Sequence, residues 1–100
     1  MAKLTRKDVI ARAKSGDSLE QEDLSGLDLT GADLNGANLN RAYLRETNLN
    51  RADLTDANLI RADLTGANLN EAKLNNADLT GAKYNKSQLE NSMYVDKAIL

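Results

Sequence analysis

The sequence predicts an all-β solenoid, a coil of short parallel extended segments preceded by a brief helix. Three observations lead to this prediction. Leucine recurs at every fifth residue over most of the chain, a small residue lies two positions before almost every leucine, and the residue between them is polar. Glycine and small polar residues dominate the remaining two positions, which suits turns.

A period of five fits neither regular secondary structure. In an α-helix five residues advance by about 500°, so successive leucines would point to every side. In a continuous strand, an odd spacing sends alternate leucines to opposite faces. The pattern is satisfied if the chain turns a corner every five residues, with alanine and leucine inward and the residue between them outward. Stacked coils then pair through parallel backbone hydrogen bonds, about 4.8 Å apart.

The leucine positions are predicted to form the structural core. This set comprises Leu29, Leu34, Leu39, Leu44, Leu49, Leu54, Leu59, Leu64, Leu69, Leu74, Leu79, Tyr84 and Leu89. Tyr94 fills the second position at which tyrosine replaces leucine. A few larger or polar residues occupy small-residue positions. Of these, Leu27 needs extra space beneath a cap, and Thr47 needs a hydrogen-bond partner if it is buried.

The repeat resembles that of the pentapeptide-repeat family, A-[D/N]-L-x-x. Residues 32–36, 52–56, 62–66 and 67–71 match this motif without exception. The resemblance extends over about four-fifths of the chain. It implies four sides and twenty residues per coil, and hence a right-handed quadrilateral parallel β-helix of about four coils. The residues that precede the repeats predict in addition a short N-terminal capping α-helix.

One domain with three segments is expected: an amphipathic capping helix over residues 1–16, the β-helix over 17–96 and a C-terminal tail over 97–100. Thr5 and Asp8 form a helix-start signature, and Gly16 is a helix stop. Residues 1–16 carry a net charge of +4 and residues 17–40 a net charge of −6. This charge difference predicts that the basic helix lies over an acidic first coil. The alternative is a basic helix that lies on a membrane surface.

The composition excludes several function classes. The chain contains no Cys, His, Trp, Phe or Pro, so zinc fingers, haem ligation and thiol nucleophiles are excluded. Three tyrosines are too few for base stacking, and a net charge of −2 gives no general attraction to nucleic acid or anionic lipid. No apolar run approaches the ~20 residues of a membrane span, and a secretory signal is lacking. We expect no cofactor, metal, small-molecule substrate, direct nucleic-acid contact or membrane contact, and a cytoplasmic location.

No catalytic residues are predicted. Carboxylate-based hydrolysis needs two carboxyl groups that face one cleft, with one of them held protonated by an apolar setting. Here one acidic residue per repeat points outward from a convex rod, and the glycines lie singly at corners rather than in a phosphate-binding loop. We therefore expect that the chain is not an enzyme.

Any function must lie in the outward residues. The one candidate partner patch consists of Arg41, Arg45, Arg51 and Arg61, with Arg61 twenty residues after Arg41. The alternative interpretation is a solvated surface on which long side chains splay apart. The expected function is a non-catalytic protein-interaction or scaffold module with an unidentified protein partner.

The family resemblance also implies an alternative function. Some members are similar to B-form DNA in shape and charge and bind DNA gyrase, so a DNA-mimicking gyrase-binding protein is the second hypothesis. Such mimicry requires a long acidic stripe, because duplex DNA carries one charge per ~1.7 Å of its axis. The acidic excess of this chain is confined to residues 17–40.

The C-terminal end has two interpretations. Residues 92–100 form the most apolar stretch of the chain and lack an evident polar cap. They either fold back as a short helix or an irregular plug, or they mediate an end-to-end homodimer.

Overall fold

The computed structural model describes residues 3–100 and contains a helix followed by stacked coils. Met1 and Ala2, the first residues of the predicted capping segment, lie outside the described residues. Helix α1 spans Arg6–Ser15, α2 spans Lys86–Leu89, and a 3-10 helix spans Val95–Lys97. Between α1 and α2, single residues pair through isolated parallel β-bridges. The molecule measures 35 × 23 × 23 Å.

The bridges form a ladder that joins residues twenty positions apart, as from Asp33 to Asp53 and on to Lys73. An inward leucine donates its N–H to the next coil, as Leu54 N does to Lys73 O at 2.9 Å. An outward residue donates to the preceding coil, as Asp53 N does to Ala32 O at 2.9 Å. These bonds hold the coils in register and confirm the general form of the prediction, a β-helix solenoid.

Leucine and alanine side chains fill the interior. Every fifth residue from Leu19 to Leu79 is a leucine that is at most 1% exposed, and Leu89 is 6% exposed. The alanines two positions earlier are also buried, from Ala32 to Ala77. Each buried leucine contributes about 1.5–3 kcal/mol relative to an exposed one. Tyr84, the aromatic member of the predicted core set, is half-buried against this cluster.

Each corner is a hydrogen-bonded turn. In a representative one, Ala32 N donates to Leu29 O at 3.0 Å, and Gly31 adopts a φ of +67°. A positive φ at the third position is the requirement of a type II turn and favours glycine. Several corners nevertheless hold other residues with φ near +60°, among them Arg41, Glu46, Arg51, Asp56 and Arg61.

The outward Asp and Asn residues stabilise these corners. Asp28 Oδ1 accepts hydrogen bonds from the backbone N–H of Thr30 at 3.1 Å and from its hydroxyl at 2.6 Å. The same side-chain-to-backbone bond, 2.9–3.2 Å long, occurs in ten repeats. The repeat therefore selects Asp or Asn as an acceptor for the turn that follows.

Acid is expected to weaken these corners. Hydrogen bonds from the threonine hydroxyls lower the pKa of Asp28, Asp63 and Asp78 below its ordinary value of 3.8. A lowered folded-state pKa gives stability that is present above the unfolded-state pKa and is lost as pH falls through the folded-state value. We expect the Asp28→Asn/Asp63→Asn/Asp78→Asn variant to lose less stability than the wild type below about pH 4, because the amide oxygen accepts the same bonds without titrating. Equal acid dependence of the two thermal midpoints would contradict this assignment.

Helix α1 begins and ends as its sequence predicts. Thr5 and Asp8 form the reciprocal capping box, and Gly16 ends the helix in the left-handed conformation, at φ +82°. Val9 is fully buried in the core, and Leu4 and Ile10 pack against it. The helix thus covers the apolar end of the first coil.

The basic residues of the N-terminal segment replace the donors of a preceding coil. Arg6 donates from its two terminal nitrogens to Asp28 O at 2.9 Å and Thr30 O at 2.8 Å. Twenty residues later, the equivalent carbonyls of Asn48 and Asn50 accept from backbone N–H groups of the coil before them. Lys3 donates to Ser25 O, and Arg12 pairs with Glu22 at 2.8 Å. The edge carbonyls of Ser25, Asp28 and Thr30 are thereby satisfied by Lys3 and Arg6.

The last coil departs from the period. Helix α2 takes the place of one extended segment, and the final bridge joins Asp78 to Ile99, an offset of 21 residues. Gln88 compensates, because its amide nitrogen donates to Leu64 O at 2.7 Å and Ala67 O at 3.0 Å. In the regular coils, the equivalent alanine carbonyl accepts from the backbone N–H of the outward residue 21 positions later, as Ala57 O does from Asp78 N at 3.0 Å.

Two expectations for the C-terminal residues differ from the structure. Tyr94 was expected inward by its phase, but it is 48% exposed with φ +62°, because α2 shifts the register of the residues that follow it. The β-helix and the tail also do not separate at residue 96. A helix interrupts the coil at Lys86–Leu89, whereas Ile99 pairs with the ladder.

The two irregular inward residues are accommodated as expected. Thr47 is fully buried, and its hydroxyl donates to Leu24 O at 2.9 Å, which supplies the partner that burial requires. Leu27 is half-buried and packs against the core cluster in the first coil, the coil that α1 covers.

Candidate functional site

One outward column of the coil carries an aromatic residue. Parallel bridges join Asp23 to Tyr43, Tyr43 to Asp63, and Asp63 to Lys83. Tyr43 is 51% exposed, although the position is Asp or Asn in most other repeats. Its ring therefore projects from a surface on which the neighbouring repeats carry short polar side chains.

Arginines flank Tyr43 on both sides. Arg41 lies at the corner before it and Arg45 at the corner after it, and Arg61 follows Arg41 on the next coil. All three are exposed. We call Arg41, Tyr43, Arg45 and Arg61 the Arg–Tyr face. It combines one aromatic ring with three guanidinium groups.

Arg41 and Arg61 share one corner column. Their φ values are both +59°, and their N–H groups donate to Ile60 O and Thr80 O at 2.9 Å. A Cβ atom built on Gly81, the next residue of the column, would lie 3.2 Å from Arg61 Cγ, so side chains of successive coils approach closely here. Within residues 3–100, neither arginine forms a salt bridge.

Arg45 makes a weak intramolecular ion pair. One terminal nitrogen lies 3.9 Å from Asp63 Oδ2, and its side chain is 61% exposed. The pKa of Asp63 is lowered chiefly by the Thr65 hydroxyl, and the charge of Arg45 contributes less. Such an exposed, long pair contributes little stability. Arg45 can therefore turn towards a ligand at small cost.

Arg51 does not belong to this face. It lies two corners beyond Arg41, with the outward columns of Tyr43 and Asn48 between them. Its Nε donates to Glu71 Oε2 at 2.7 Å, and this bond raises the pKa of Arg51. Of the four arginines of the predicted patch, the structure brings three together and pairs the fourth with an acid elsewhere.

The patch expected from the sequence did not include Tyr43. A signal was present, because the period of five assigns residue 43 to the outward column and Tyr is unusual there. The four-residue interval from Arg41 to Arg45 brackets it. A twenty-residue coil then adds Arg61 beside it.

Several open cavities lie elsewhere on the described part of the chain, among them the following three. One of about 440 Å³ is lined by Asn50, Asn70, Glu71 and Asn91, and one of about 330 Å³ lies between Lys14 and Asp53. The third, about 450 Å³ and mostly apolar, is at the C-terminal end. Across residues 3–100, no group of three or more acidic residues is placed to hold a metal ion, and no helix is long and apolar enough to cross a bilayer. The cytoplasmic location stays a prediction.

A family model described as pentapeptide repeats matches the chain in eight copies, over residues 23–59, 47–83 and 57–92. A pentapeptide repeat protein from Nostoc PCC 7120 is 34% identical, with 82% of this chain and 77% of that chain covered and a TM-score of 0.45. A pentapeptide repeat protein from the thylakoid lumen of Arabidopsis thaliana is 31% identical over 77% of this chain, with a TM-score of 0.39.

HetL is a further similar structure, a pentapeptide repeat protein involved in heterocyst differentiation regulation from the cyanobacterium Nostoc sp. strain PCC 7120. It is 34% identical over 78% of this chain, with a TM-score of 0.39. The match spans 57% of the Arabidopsis protein and 38% of HetL. No curated protein matches the chain.

Proposed function

Because the chain belongs to the pentapeptide repeat family, we propose that it is a non-catalytic protein-interaction or scaffold module that binds its partner through the Arg–Tyr face. The observation that carries this proposal is the exposed Tyr43 among three exposed arginines. Tyrosine and arginine are enriched at binding hot spots, since each combines a large contact area with a polar end.

The partner surface is acidic in this proposal. Arg41 and Arg61 have no ion pair within residues 3–100, and Arg45 has only the 3.9 Å contact with Asp63. Guanidinium groups bind carboxylates through two parallel hydrogen bonds. In this arrangement, the ring of Tyr43 supplies an apolar contact between the guanidinium groups of Arg41 and Arg45. A segment of a protein with two or three carboxylates and an apolar side chain fits this arrangement.

The coil geometry in the proposal is a right-handed quadrilateral β-helix of about four coils. The twenty-residue bridge offset supports it, because four five-residue sides complete one coil. Arg41 and Arg51 then lie at opposite corners, and the Arg–Tyr face occupies one side. The hydrogen-bonded ladder fixes the backbone positions of the four residues before binding, which lowers the entropy cost of association.

The outward columns give the DNA-mimic alternative little support. Its requirement is a continuous acidic stripe. The column of Asp23 continues with Tyr43, and the column of Asp33 and Asp53 ends with Lys73 and Met93. None of the bridged columns of residues 3–100 carries more than two acidic residues.

Matched charge reversals test the proposed site. Arg61→Glu and Arg51→Glu change the net charge equally at exposed corners of similar φ, and glutamate already occupies this conformation at Glu46. In affinity capture from a cell lysate, we expect Arg51→Glu to retain the partner that the wild type binds. Arg61→Glu and Tyr43→Ala are each expected to weaken its retention by about tenfold or more. Equal retention by all variants would contradict the proposed site.

A further inference from the structure

Asparagine side chains form a column at the corner that carries Arg51. The backbone N–H of Arg51 donates to Asn70 O at 2.9 Å. On the next coil, Glu71 N donates to Asn91 O at 2.7 Å. Asn50, Asn70 and Asn91 therefore lie on successive coils, about 4.8 Å apart. With Glu71 they border the open cavity of about 440 Å³, a volume within the range of small-molecule sites, about 300–1,000 Å³.

The carboxamides of this column are not used in the corner bonds. Asn50 and Asn70 take part in those bonds through their backbone N–H groups, which donate to Asn48 Oδ1 at 3.0 Å and Asn68 Oδ1 at 2.9 Å. Among the described residues that are not exposed, Asn50 Oδ1 is the one buried side-chain polar atom without a hydrogen-bond partner. A buried acceptor without a donor is destabilising. The terminal torsion of asparagine is broad, so Oδ1 can turn towards a donor in the cavity.

The next corner column shows that side chains of successive coils can satisfy each other. Thr55 and Asn75 are twenty residues apart, and the Thr55 hydroxyl donates to Asn75 Oδ1 at 3.0 Å. In the column of Asn50, three carboxamides take the place of such a pair, and Asn50 Oδ1 stays unpaired. A ladder within the protein therefore does not explain this column, and its carboxamides are available to a ligand.

The charges beside the cavity restrict the class of ligand. Glu71 Oε2 accepts from Arg51 Nε at 2.7 Å, so one charge of each sign lies at the rim. A metal cation is disfavoured by Arg51, and an anion is disfavoured by Glu71. Carboxamides offer both donors and acceptors. The matching ligand is neutral and supplies both, as a hydroxyl group does.

We propose that this cavity binds the hydroxyl groups of a neutral carbohydrate. Neighbouring hydroxyls of a pyranose ring can engage both polar atoms of one carboxamide or carboxylate. An extended peptide fits the column less well, because its groups on one side repeat at about 6.6–6.8 Å, whereas the coils repeat at about 4.8 Å. The ligand is bound without reaction, since Glu71 is the one titratable side chain among the four that line the cavity.

Nuclear magnetic resonance of the ¹⁵N-labelled full chain tests the proposal. The probes are the methyl α-D-glycopyranosides of glucose, mannose and galactose, titrated separately. At millimolar concentrations, we expect at least one of them to shift the side-chain amide signals of Asn50, Asn70 and Asn91 to saturation. The amide signals of Asn75, whose oxygen is already bonded to Thr55, are expected to stay in place.

Two alanine variants at equivalent corner positions supply the control. Asn50→Ala is expected to weaken glycoside binding by about tenfold, because it removes one hydrogen-bonding group of the site. Asn75→Ala is expected to bind like the wild type. The thermal midpoint of Asn50→Ala is expected to equal or exceed that of the wild type, since the variant removes an unpaired buried oxygen. Loss of binding by Asn50→Ala then does not come from unfolding.

Four results would overturn the proposal. They are the absence of saturable shifts with all three glycosides, equal shifts at Asn75, an unchanged affinity of Asn50→Ala, and saturable shifts with only N-methylacetamide or calcium chloride. The last result would assign the cavity to a peptide or to a cation. None of these results depends on the Arg–Tyr face, whose residues do not line the cavity.

Discussion

Replacing Leu54 with Asp is expected to unfold the chain. Leu54 is fully buried, and its neighbours in the core are other leucines and alanines. Removing a buried leucine side chain costs about 2–5 kcal/mol, and a buried unpaired carboxylate adds several more. The sum is comparable to the whole stability of a small domain, about 5–15 kcal/mol. Circular dichroism at room temperature is the measurement.

The neighbouring outward residue supplies the control. Asp53→Asn keeps an oxygen that can accept from Thr55 N, the bond that is 3.0 Å long in the wild type. We expect its thermal midpoint to remain close to that of the wild type. If Leu54→Asp melted at the same temperature as Asp53→Asn, the assignment of inward and outward positions would be wrong.

Gln88→Glu is expected to destabilise the C-terminal coil by about 1–3 kcal/mol, the cost of leaving the part-buried Ala67 carbonyl without its donor. The wild-type amide nitrogen donates to Leu64 O and Ala67 O, and the amide oxygen accepts from Asn85 N at 2.7 Å. A carboxylate keeps the last bond. It loses both donated bonds and places a negative charge against two carbonyl oxygens.

Denaturant unfolding of two matched variants measures this effect. Gln21→Glu makes the same chemical change at the only other glutamine of the chain, which is exposed in the first coil. It is expected to change the free energy of unfolding by no more than about 0.5 kcal/mol at moderate salt. A loss for Gln88→Glu as small as that for Gln21→Glu would show that Gln88 does not replace the missing backbone donor.

The period of five predicts which residues are buried, because the geometry of the coil alone determines which positions point inward. Leucine and alanine fit inside the coil only at fixed phase, so burial from Leu19 to Leu79 follows from the spacing. The N-terminal helix is equally local, because the capping box and Gly16 act within a few residues of each other. Both features can therefore be predicted without knowledge of contacts between residues that are distant in sequence.

The C-terminal coil could not be derived in this way. The four residues of α2 gain helical bonds, and Gln88 satisfies carbonyls more than twenty residues earlier, a compensation that depends on the folded coil. The phase of five continues through the sequence, yet Tyr94 emerges on the surface. Long-range contacts override a short local pattern here.

The candidate site was predictable only in part. Charge alone groups Arg51 with the other three arginines, whereas the coil places it two corners beyond Arg41, beside Glu71. Tyr43 joins the face because the outward column runs past the arginines on two coils. A surface made of residues twenty positions apart appears only when the length of the coil is known.

That twenty-residue period is the central claim, and paired fluorescent labels test it directly. The chain has no cysteine, so Arg41→Cys/Arg61→Cys and Arg41→Cys/Arg51→Cys each accept pyrene at two sites only. Neighbouring coils lie about 4.8 Å apart, so the 41/61 pair is expected to show pyrene excimer emission. The 41/51 pair, although closer in sequence, is expected to show none. Excimer emission from the 41/51 pair, or its absence from the 41/61 pair, would contradict the claim.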